Sequence, residues 1–279
     1  MKILIVGASG FIGNALFNFL KSRLNYEIFG TYYSQKKDNK MLYLDITSPE
    51  EIERLLIEIS PDFIIWAAGF KDVSGCEKNF EFAKKINFYP MENLLKIYKK
   101  LGFNSHIIYI STDYVFDGKR GFYKDTDLPC PTTFYGVSKF MAENILFDFK
   151  VDKFTILRTS AVMGRDGVFW GWLLDKIKNN EKIELYTNNF FTPTPLNFFN
   201  EIVLKVVEEK RYGIIHACGD RRISRYEFGL LLKTMVKSSI ADIIPVENKT
   251  FFDYSLIQSD FCKDKWIFPL EEWLRKEMV

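Results

Sequence analysis

The chain has 279 residues, which suits one large domain or a domain with a modest extra lobe. With 47% hydrophobic and 27% charged residues it reads as a globular protein with a substantial core. Its 38 basic and 36 acidic residues leave a net charge of +2, so no global field recruits nucleic acid or an anionic membrane, and neither partner is expected.

The alternation of elements starts at once. Lys2–Val6 is a short apolar run that reads as a buried strand. Phe11–Leu24 has helical spacing, with Phe11, Ile12, Ala15, Leu16, Phe19 and Leu20 on one face. Tyr26–Thr31 reads as a second strand and Met41–Leu44 as a short strand-like run. Pro49–Ile59 is a helix opened by Ser48 as cap, with Glu51 three residues later. Asp62–Trp66 is a strand, Glu77–Lys100 a long helix adjusted at Pro90, and His106–Ile110 a strand. Phe134–Phe149 is a helix and Phe154–Leu157 a strand. Beyond Thr159 the rhythm loosens. Phe169–Lys178, Asn197–Glu209, Ser224–Val236 and Glu271–Lys276 read as helices, Gly213–Ala217 as a strand, and Ser224 with Glu227 forms a capping box. The fold class expected is α/β: a Rossmann-type doubly wound parallel sheet with a smaller C-terminal lobe. Cys76, Cys130, Cys218 and Cys262 are dispersed, without CxxC spacing, so neither a metal site nor a disulfide framework is expected. With no signal peptide or membrane-spanning apolar stretch recognised, a cytoplasmic setting is expected.

The first strand runs into Gly7-Ala8-Ser9-Gly10-Phe11-Ile12-Gly13, and a helix follows. In this GxxGxxG loop Gly7 permits the turn, Gly10 lets backbone approach a pyrophosphate, and Gly13 lets helix and strand pack closely. Amides at the helix start then face the anion. Gly7, Ser9, Gly10, Phe11, Ile12 and Gly13 are therefore candidate cofactor contacts. An NAD-type ribose would be held by a carboxylate about 20 residues on. Residues 31–37 read Thr-Tyr-Tyr-Ser-Gln-Lys-Lys, without one. Tyr32, Ser34 and Lys36, with Lys37, instead suit a 2′-phosphate, so NADPH is the expected cofactor and NADH the alternative. Asp45 and Ile46 follow the short strand-like run Met41–Leu44, where this fold often places the adenine.

Tyr135 and Lys139 form YxxxK, four apart on one helix face. A neighbouring ammonium favours phenolate and lowers a tyrosine pKa, which would prepare Tyr135 as a proton donor to a carbonyl oxygen. Ser111, Thr112 and Asp113 stand at the carboxyl end of the fourth strand, where a hydroxyl can stabilise a developing alkoxide. Glycine loop, hydroxyl and YxxxK, in this order, form the constellation of a short-chain dehydrogenase/reductase.

Ser111-Thr112-Asp113-Tyr114-Val115-Phe116-Asp117-Gly118 resembles the STDYVFDG signature of the RmlD-like family of dTDP-4-dehydrorhamnose reductases, within the extended type of those enzymes. Ala67-Ala68-Gly69, Cys76-Glu77, Asn87, Pro131–Lys139, Leu157-Arg158-Thr159-Ser160, Phe191-Thr192-Pro193-Thr194, Gly213–His216 and Ile223–Phe228 resemble further family segments in the same order. The resemblance implies that Thr112 polarises a sugar ketone, Tyr135 donates the proton, and Lys139 tunes Tyr135 and holds the nicotinamide ribose. It puts Ala67, Ala68, Gly69 and Ser111 beside the cofactor, and Asp113, Tyr114 and Arg158 beside the substrate. Arg158 could equally pair with a carboxylate, and Asn87 is either structural or part of a proton relay. Residues 1–160 would form the dinucleotide-binding domain, with 197–217 returning to it, and 161–279 mainly the substrate lobe. The implied reaction converts dTDP-4-dehydro-L-rhamnose to dTDP-L-rhamnose for surface polysaccharide. Alternatives are a reductase or epimerase of a GDP-, UDP- or CDP-linked keto sugar, or a non-catalytic NADP-binding regulatory subunit. The resemblance leaves room for a homodimer. Departures are Ala161, where the family commonly has Trp, the stretch Val162-Met163-Gly164, and the aromatic run Phe169-Trp170-Gly171-Trp172.

Overall fold

The computed structural model describes residues 1–23, 25–236 and 239–278. Leu24, expected in the first helix, and Lys237, Ser238 and Val279, expected in the lobe, lie outside them. The chain divides into two compact units. The first comprises Met1–Val115, Pro129–Leu157 and Val203–Ile214, and the second Phe116–Leu128, Arg158–Ile202 and the residues from Ile215 onward.

The elements begin with β1 (Lys2–Val6), α1 (Phe11–Arg23), β2 (Glu27–Tyr32), β3 (Met41–Tyr43), α2 (Pro49–Ile59) and β4 (Phe63–Trp66). There follow α3 (Val73–Lys78), α4 (Phe80–Asn87), α5 (Tyr89–Lys100), β5 (His106–Thr112), a 3-10 turn at Asp113–Val115, α6 (Phe134–Asp148) and β6 (Phe154–Thr159). Then come β7 (Val162–Met163), α7 (Val168–Lys178), β8 (Lys182–Tyr186), β9 (Asn189–Phe191), β10 (Thr194–Pro195), α8 (Leu196–Glu209) and β11 (Gly213–His216). The last are β12 (Ile223–Ser224), α9 (Arg225–Met235), β13 (Asp242–Val246), β14 (Phe252–Asp253), α10 (Asp260–Lys263) and α11 (Leu270–Glu277).

Seven strands form one sheet in the order β11-β6-β5-β4-β1-β2-β3. β1 pairs in parallel with both β2 and β4, so strand order reverses there. Ligands of such sheets bind beyond the carboxyl ends at this switch point. The central strands are apolar on both faces because helices cover both; every residue of β4 and β5 is buried. On one face Ile52, Leu55 and Leu56 of α2, Met91, Leu94 and Leu95 of α5, and Ala142, Ile145 and Leu146 of α6 share a core with Leu4, Ile64, Ile107 and Tyr109. Each such Leu, Ile or Met side chain contributes roughly 1.5–3 kcal/mol by leaving water.

Two expectations need correction. The single helix over 77–100 is three helices. Asn79 leaves helical geometry (φ −148°, ψ 86°) and caps α4 by accepting from the Phe82 amide. Pro90 is in the first turn of α5, where its missing N–H costs nothing, so it starts a helix rather than bending one. The fourth strand also runs past Ile110 through Thr112, so Ser111 and Thr112 are its last residues.

In the second unit β8 and β13 pair in parallel, and β12, β9 and β14 form a small sheet. Its core joins Trp170, Leu173, Phe191, Phe228, Leu232 and Leu274. Ser224 and Glu227 make the expected capping box on α9. No helix among the described residues is long and apolar enough to cross a membrane.

Glu277, on α11, accepts a hydrogen bond from the Asn197 amide at 2.6 Å and so caps the start of α8. Burial pushes its carboxyl up to about 7, against the hydrogen bond from Asn197. A raised folded-state pKa means stability is fully present below the ordinary carboxylate range and lost as pH rises through about 7. Glu277→Gln keeps the acceptor without the charge. The wild type is expected to lose stability relative to this variant between pH 5 and pH 8, by at most about 3 kcal/mol. Urea midpoints of both proteins at the two pH values check this.

Candidate active site

The loop after β1 is built from backbone. A Cβ on Gly13 would stand 2.2 Å from the Gly7 carbonyl oxygen, and one on Gly7 2.7 Å from the Ala68 amide nitrogen. Gly7 has φ +85°, which glycine adopts without strain. The loops after β1 and β4 thus touch at the switch point. Thr31, buried at the end of β2, holds the loop from below: its hydroxyl accepts from the Gly7 amide at 2.9 Å and its carbonyl from the Ser9 amide at 3.2 Å. Gly10 remains exposed at the apex, and the first turn of α1 has no acidic side chain to repel an anion.

Beyond β2, Tyr32 lies edge-on to Tyr43, Tyr33 stacks on Tyr43, and Lys36 Nζ stands 5.9 Å from the Tyr32 ring centroid. Ser34, Lys36 and Lys37 are exposed. The first carboxylate after β2, Asp38, is engaged elsewhere, by Lys21 at 2.7 Å and by the Lys40 amide at 2.8 Å. Asp45 uses its carboxylate to accept from the amide and hydroxyl of Thr47, both at 2.8 Å, which shapes the entry to α2.

Thr112, Asp113, Tyr114 and Tyr135 come together at the end of β5. The Thr112 hydroxyl donates to Asp113 Oδ1 at 2.9 Å and accepts from the Tyr114 amide at 3.2 Å. The Tyr114 and Tyr135 rings meet edge to face at 5.7 Å. This closeness requires Gly136, because a Cβ there would stand 2.0 Å from the Tyr114 carbonyl oxygen. The start of α6 is fixed by Thr133, which accepts from the Gly136 amide, and by Glu77 of α3, which accepts from the Phe134 amide at 2.6 Å.

The electrostatics differ from the expectation that Lys139 lowers the Tyr135 pKa. The phenol is pushed up, first by burial and then by the charge of Asp113, while a hydrogen bond with Thr112 acts in the opposite direction. Lys139 is brought down to about 7 by burial, against the pull of Glu143. Its Nζ donates to the Ile110 carbonyl at 2.8 Å. Desolvation opposes charge of either sign, so it raises the acid and lowers the base together. Glu143, four residues beyond Lys139 and buried, continues the same helix face. The sequence reading did not name it; its i+4 spacing was the available signal.

Asn87 acts as a clamp. Its Oδ1 accepts from the Phe70 amide at 2.7 Å, and its Nδ2 donates to the Phe70 carbonyl and to Ser138 Oγ, both at 3.0 Å. Ser138 in turn donates to the Tyr135 carbonyl at 2.7 Å. Both amide hydrogens and the oxygen are thus used structurally, tying the loop of Ala67, Ala68 and Gly69 to α6. Arg158 is 1% exposed on β6, with its guanidinium over Phe116 at 5.3 Å.

The residues fit a dinucleotide. The glycine apex is open backbone, the amides of a helix start face it, and the buried Ser111 hydroxyl has no hydrogen-bond partner among the described residues. Gly136→Ala is expected to destabilise the protein by more than about 2 kcal/mol, because two backbones must separate. Gly171, inside α7, is the contrast: the nearest atom to an added methyl is 3.9 Å away. Gly171→Ala is expected to be neutral or to stabilise by up to about 1 kcal/mol. Equilibrium urea unfolding of both variants checks the pair.

Residues 1–260 match the family model described as RmlD substrate binding domain. The chain is 30% identical to a dTDP-4-dehydrorhamnose reductase of Aggregatibacter actinomycetemcomitans, over 91% of this chain and 86% of that protein. It is also 30% identical to a probable low-salt glycan biosynthesis reductase of Haloferax volcanii, over 82% and 78%. Among solved structures, the dTDP-4-dehydrorhamnose reductase of Bacillus anthracis strain Ames in complex with NADP superposes with a TM-score of 0.84 at 26% identity, covering 99% of this chain and 98% of that one. With its seven-stranded Rossmann-type sheet and its matched length, the chain belongs to the RmlD family of NAD(P)H-dependent oxidoreductases.

Proposed function

We propose that this chain reduces the 4-keto group of a nucleotide-linked 6-deoxy sugar with NADPH, and that its substrate is dTDP-4-dehydro-L-rhamnose. The observation that carries the reading is the meeting of Thr112 and Tyr135, with Lys139 one turn along the same helix. Family membership supports a nucleotide-sugar reductase, and the names of the relatives support the dTDP-linked substrate and a role in glycan synthesis. NADPH is supported by the NADP-bound relative, by the exposed Lys36 and Lys37, and by Asp38 being engaged with Lys21. A cytoplasmic location suits such a substrate.

Gly7, Ser9, Gly10, Phe11, Ile12 and Gly13 would hold the pyrophosphate, and Tyr32, Ser34 and Lys36 the 2′-phosphate. Asp45 and Ile46 would flank the adenine, and Ala67, Ala68, Gly69 and Ser111 the nicotinamide side. Bound NADPH supplies the hydride for the carbonyl carbon. Tyr135 transfers its phenolic proton to the carbonyl oxygen, so that the ketone becomes an alcohol. A phenol pushed up by burial is fully protonated at neutral pH, as the donor in a reduction must be. Thr112, on turning its one proton from Asp113 to the same oxygen, favours the negative charge that develops there. Lys139, as an ammonium, offsets the phenolate left behind. Asp113 orients Thr112, and Asp113 and Tyr114 would line the sugar pocket.

Tyr135→Phe is expected to lower kcat by about 100-fold or more while leaving NADPH affinity within a few-fold of wild type. NADPH oxidation with dTDP-4-dehydro-L-rhamnose, and nucleotide binding by fluorescence, measure the two effects. Turnover of a GDP-, UDP- or CDP-linked keto sugar instead would overturn the substrate and keep the chemistry. Because Lys139 titrates at about 7, its ammonium is lost as pH rises, so the rate is expected to fall on the alkaline side.

A further inference from the structure

Strand β5 is buried throughout and presents Ile107, Tyr109 and Ser111 on one face. Ile107 and Tyr109 pack in the core that α6 covers with Ala142, Ile145 and Leu146. Into this apolar space α6 sends Lys139, itself buried. A buried ammonium is stable only where other groups replace its water. Two such replacements come from adjacent residues of β5. The Ile110 carbonyl accepts from Nζ at 2.8 Å, and the Tyr109 ring lies beneath Nζ with its centroid 4.1 Å away. That distance is well inside the range of a cation–π interaction, and desolvated pairs are the stronger ones. The Tyr109 hydroxyl is buried without a hydrogen-bond partner among the described residues, so it is the ring that engages the lysine.

We propose that Tyr109 is a positioning residue: its ring face, together with the Ile110 carbonyl, holds Lys139 Nζ at the end of β5. Resting on the proposed role of Lys139 in reduction, this adds a support for that residue on the strand that also carries Thr112. The titratable groups acting on Lys139 and its surroundings are Glu143 and Tyr135 of α6 and Tyr109 of β5, while Asp113 of the 3-10 turn and Cys76 of α3 act on Tyr135. An aromatic face favours the ammonium form, as Glu143 does, so both oppose the effect of burial.

The test compares Tyr109→Phe, which keeps the ring, with Tyr109→Leu, which keeps apolar bulk without it. Lys139 is titrated directly in each protein by NMR of carbon-13-labelled lysine side chains, its signal being the one missing from Lys139→Met. Phe is expected to titrate like wild type. Leu is expected to lower the midpoint by about one unit and to move the alkaline limb of the pH–rate profile with it, reducing kcat about tenfold at pH 7.5. A wild-type midpoint in the Leu variant, or a Phe variant that behaves like Leu, overturns the proposal. Should the Leu variant not fold, phenylalanine carrying increasing numbers of fluorines at position 109 withdraws charge from the ring face at nearly constant shape. The midpoint is then expected to fall stepwise, and a flat series overturns the proposal. If the wild type reduces no keto sugar, the proposed function fails, while the titration still decides the role of Tyr109.

Discussion

The Thr112 hydroxyl has one proton to give and two lone pairs to fill. It donates to Asp113 and accepts from the Tyr114 amide, and the Tyr135 phenol lies within its hydrogen-bond reach. A strand end, a 3-10 turn and the first turn of α6 are therefore organised around one oxygen atom. The arrangement is possible because Gly136 lets the helix backbone reach the turn. Once that distance is set, helical geometry fixes Lys139 one turn further along, and β5 receives it at Ile110.

Burial then sets the electrostatic character of the site. An ammonium beside a phenol favours the phenolate, but burial opposes both charges. Here desolvation holds Tyr135 as neutral phenol and brings Lys139 to about 7. A phenol that keeps its proton suits donation, and hence reduction, better than proton abstraction from an alcohol. Cys76 follows the same rule, its thiol pushed up to about 11 mainly by burial, so it stands near the phenol without adding a charge at neutral pH. The phenol and the thiol thus stay uncharged at neutral pH, in surroundings whose low polarity strengthens the response to any charge formed there.

How much of this was legible in the sequence follows from which features rest on backbone demands. The glycine loop could be read because only glycine tolerates contacts such as that between Gly13 and the Gly7 carbonyl. The placement of Ser111 and Thr112 at a strand end, and of Tyr135 and Lys139 on one helix, could be read from order and spacing. Helix 77–100 was misread because its apolar periodicity continues across Asn79, whose cap depends on one local hydrogen bond to Phe82. β8 alternates buried Ile183 and Leu185 with exposed Lys182, Glu184 and Tyr186, a legible strand pattern, but its partner β13 contains Pro245, which reads against a strand. The sign of the pKa shifts was not legible, since a sequence reveals spacing along a helix and not how deeply a charge is buried. Thr31 as the support of the glycine loop, and Asn87 as a clamp rather than a relay, likewise depend on contacts between distant segments.

The departures from the family pattern fall in the second unit, and their packing suggests why they are compatible with one another. Ala161 and Met163 lie in the same hydrophobic cluster as Phe169, Trp170, Phe191 and Phe228. Trp170 is buried, and Phe169 packs against Phe191 and Phe228. Where the family commonly carries Trp, the small Ala161 leaves volume, and the aromatic run over 169–172 brings aromatic volume to the same cluster. Cores tolerate such exchange when total volume and patterning are kept. Trp172 is the exception, stacked on Phe169 with part of its ring exposed. The unusual aromatic content therefore belongs largely to the interior of this unit, whereas the residues proposed for reduction belong to the other.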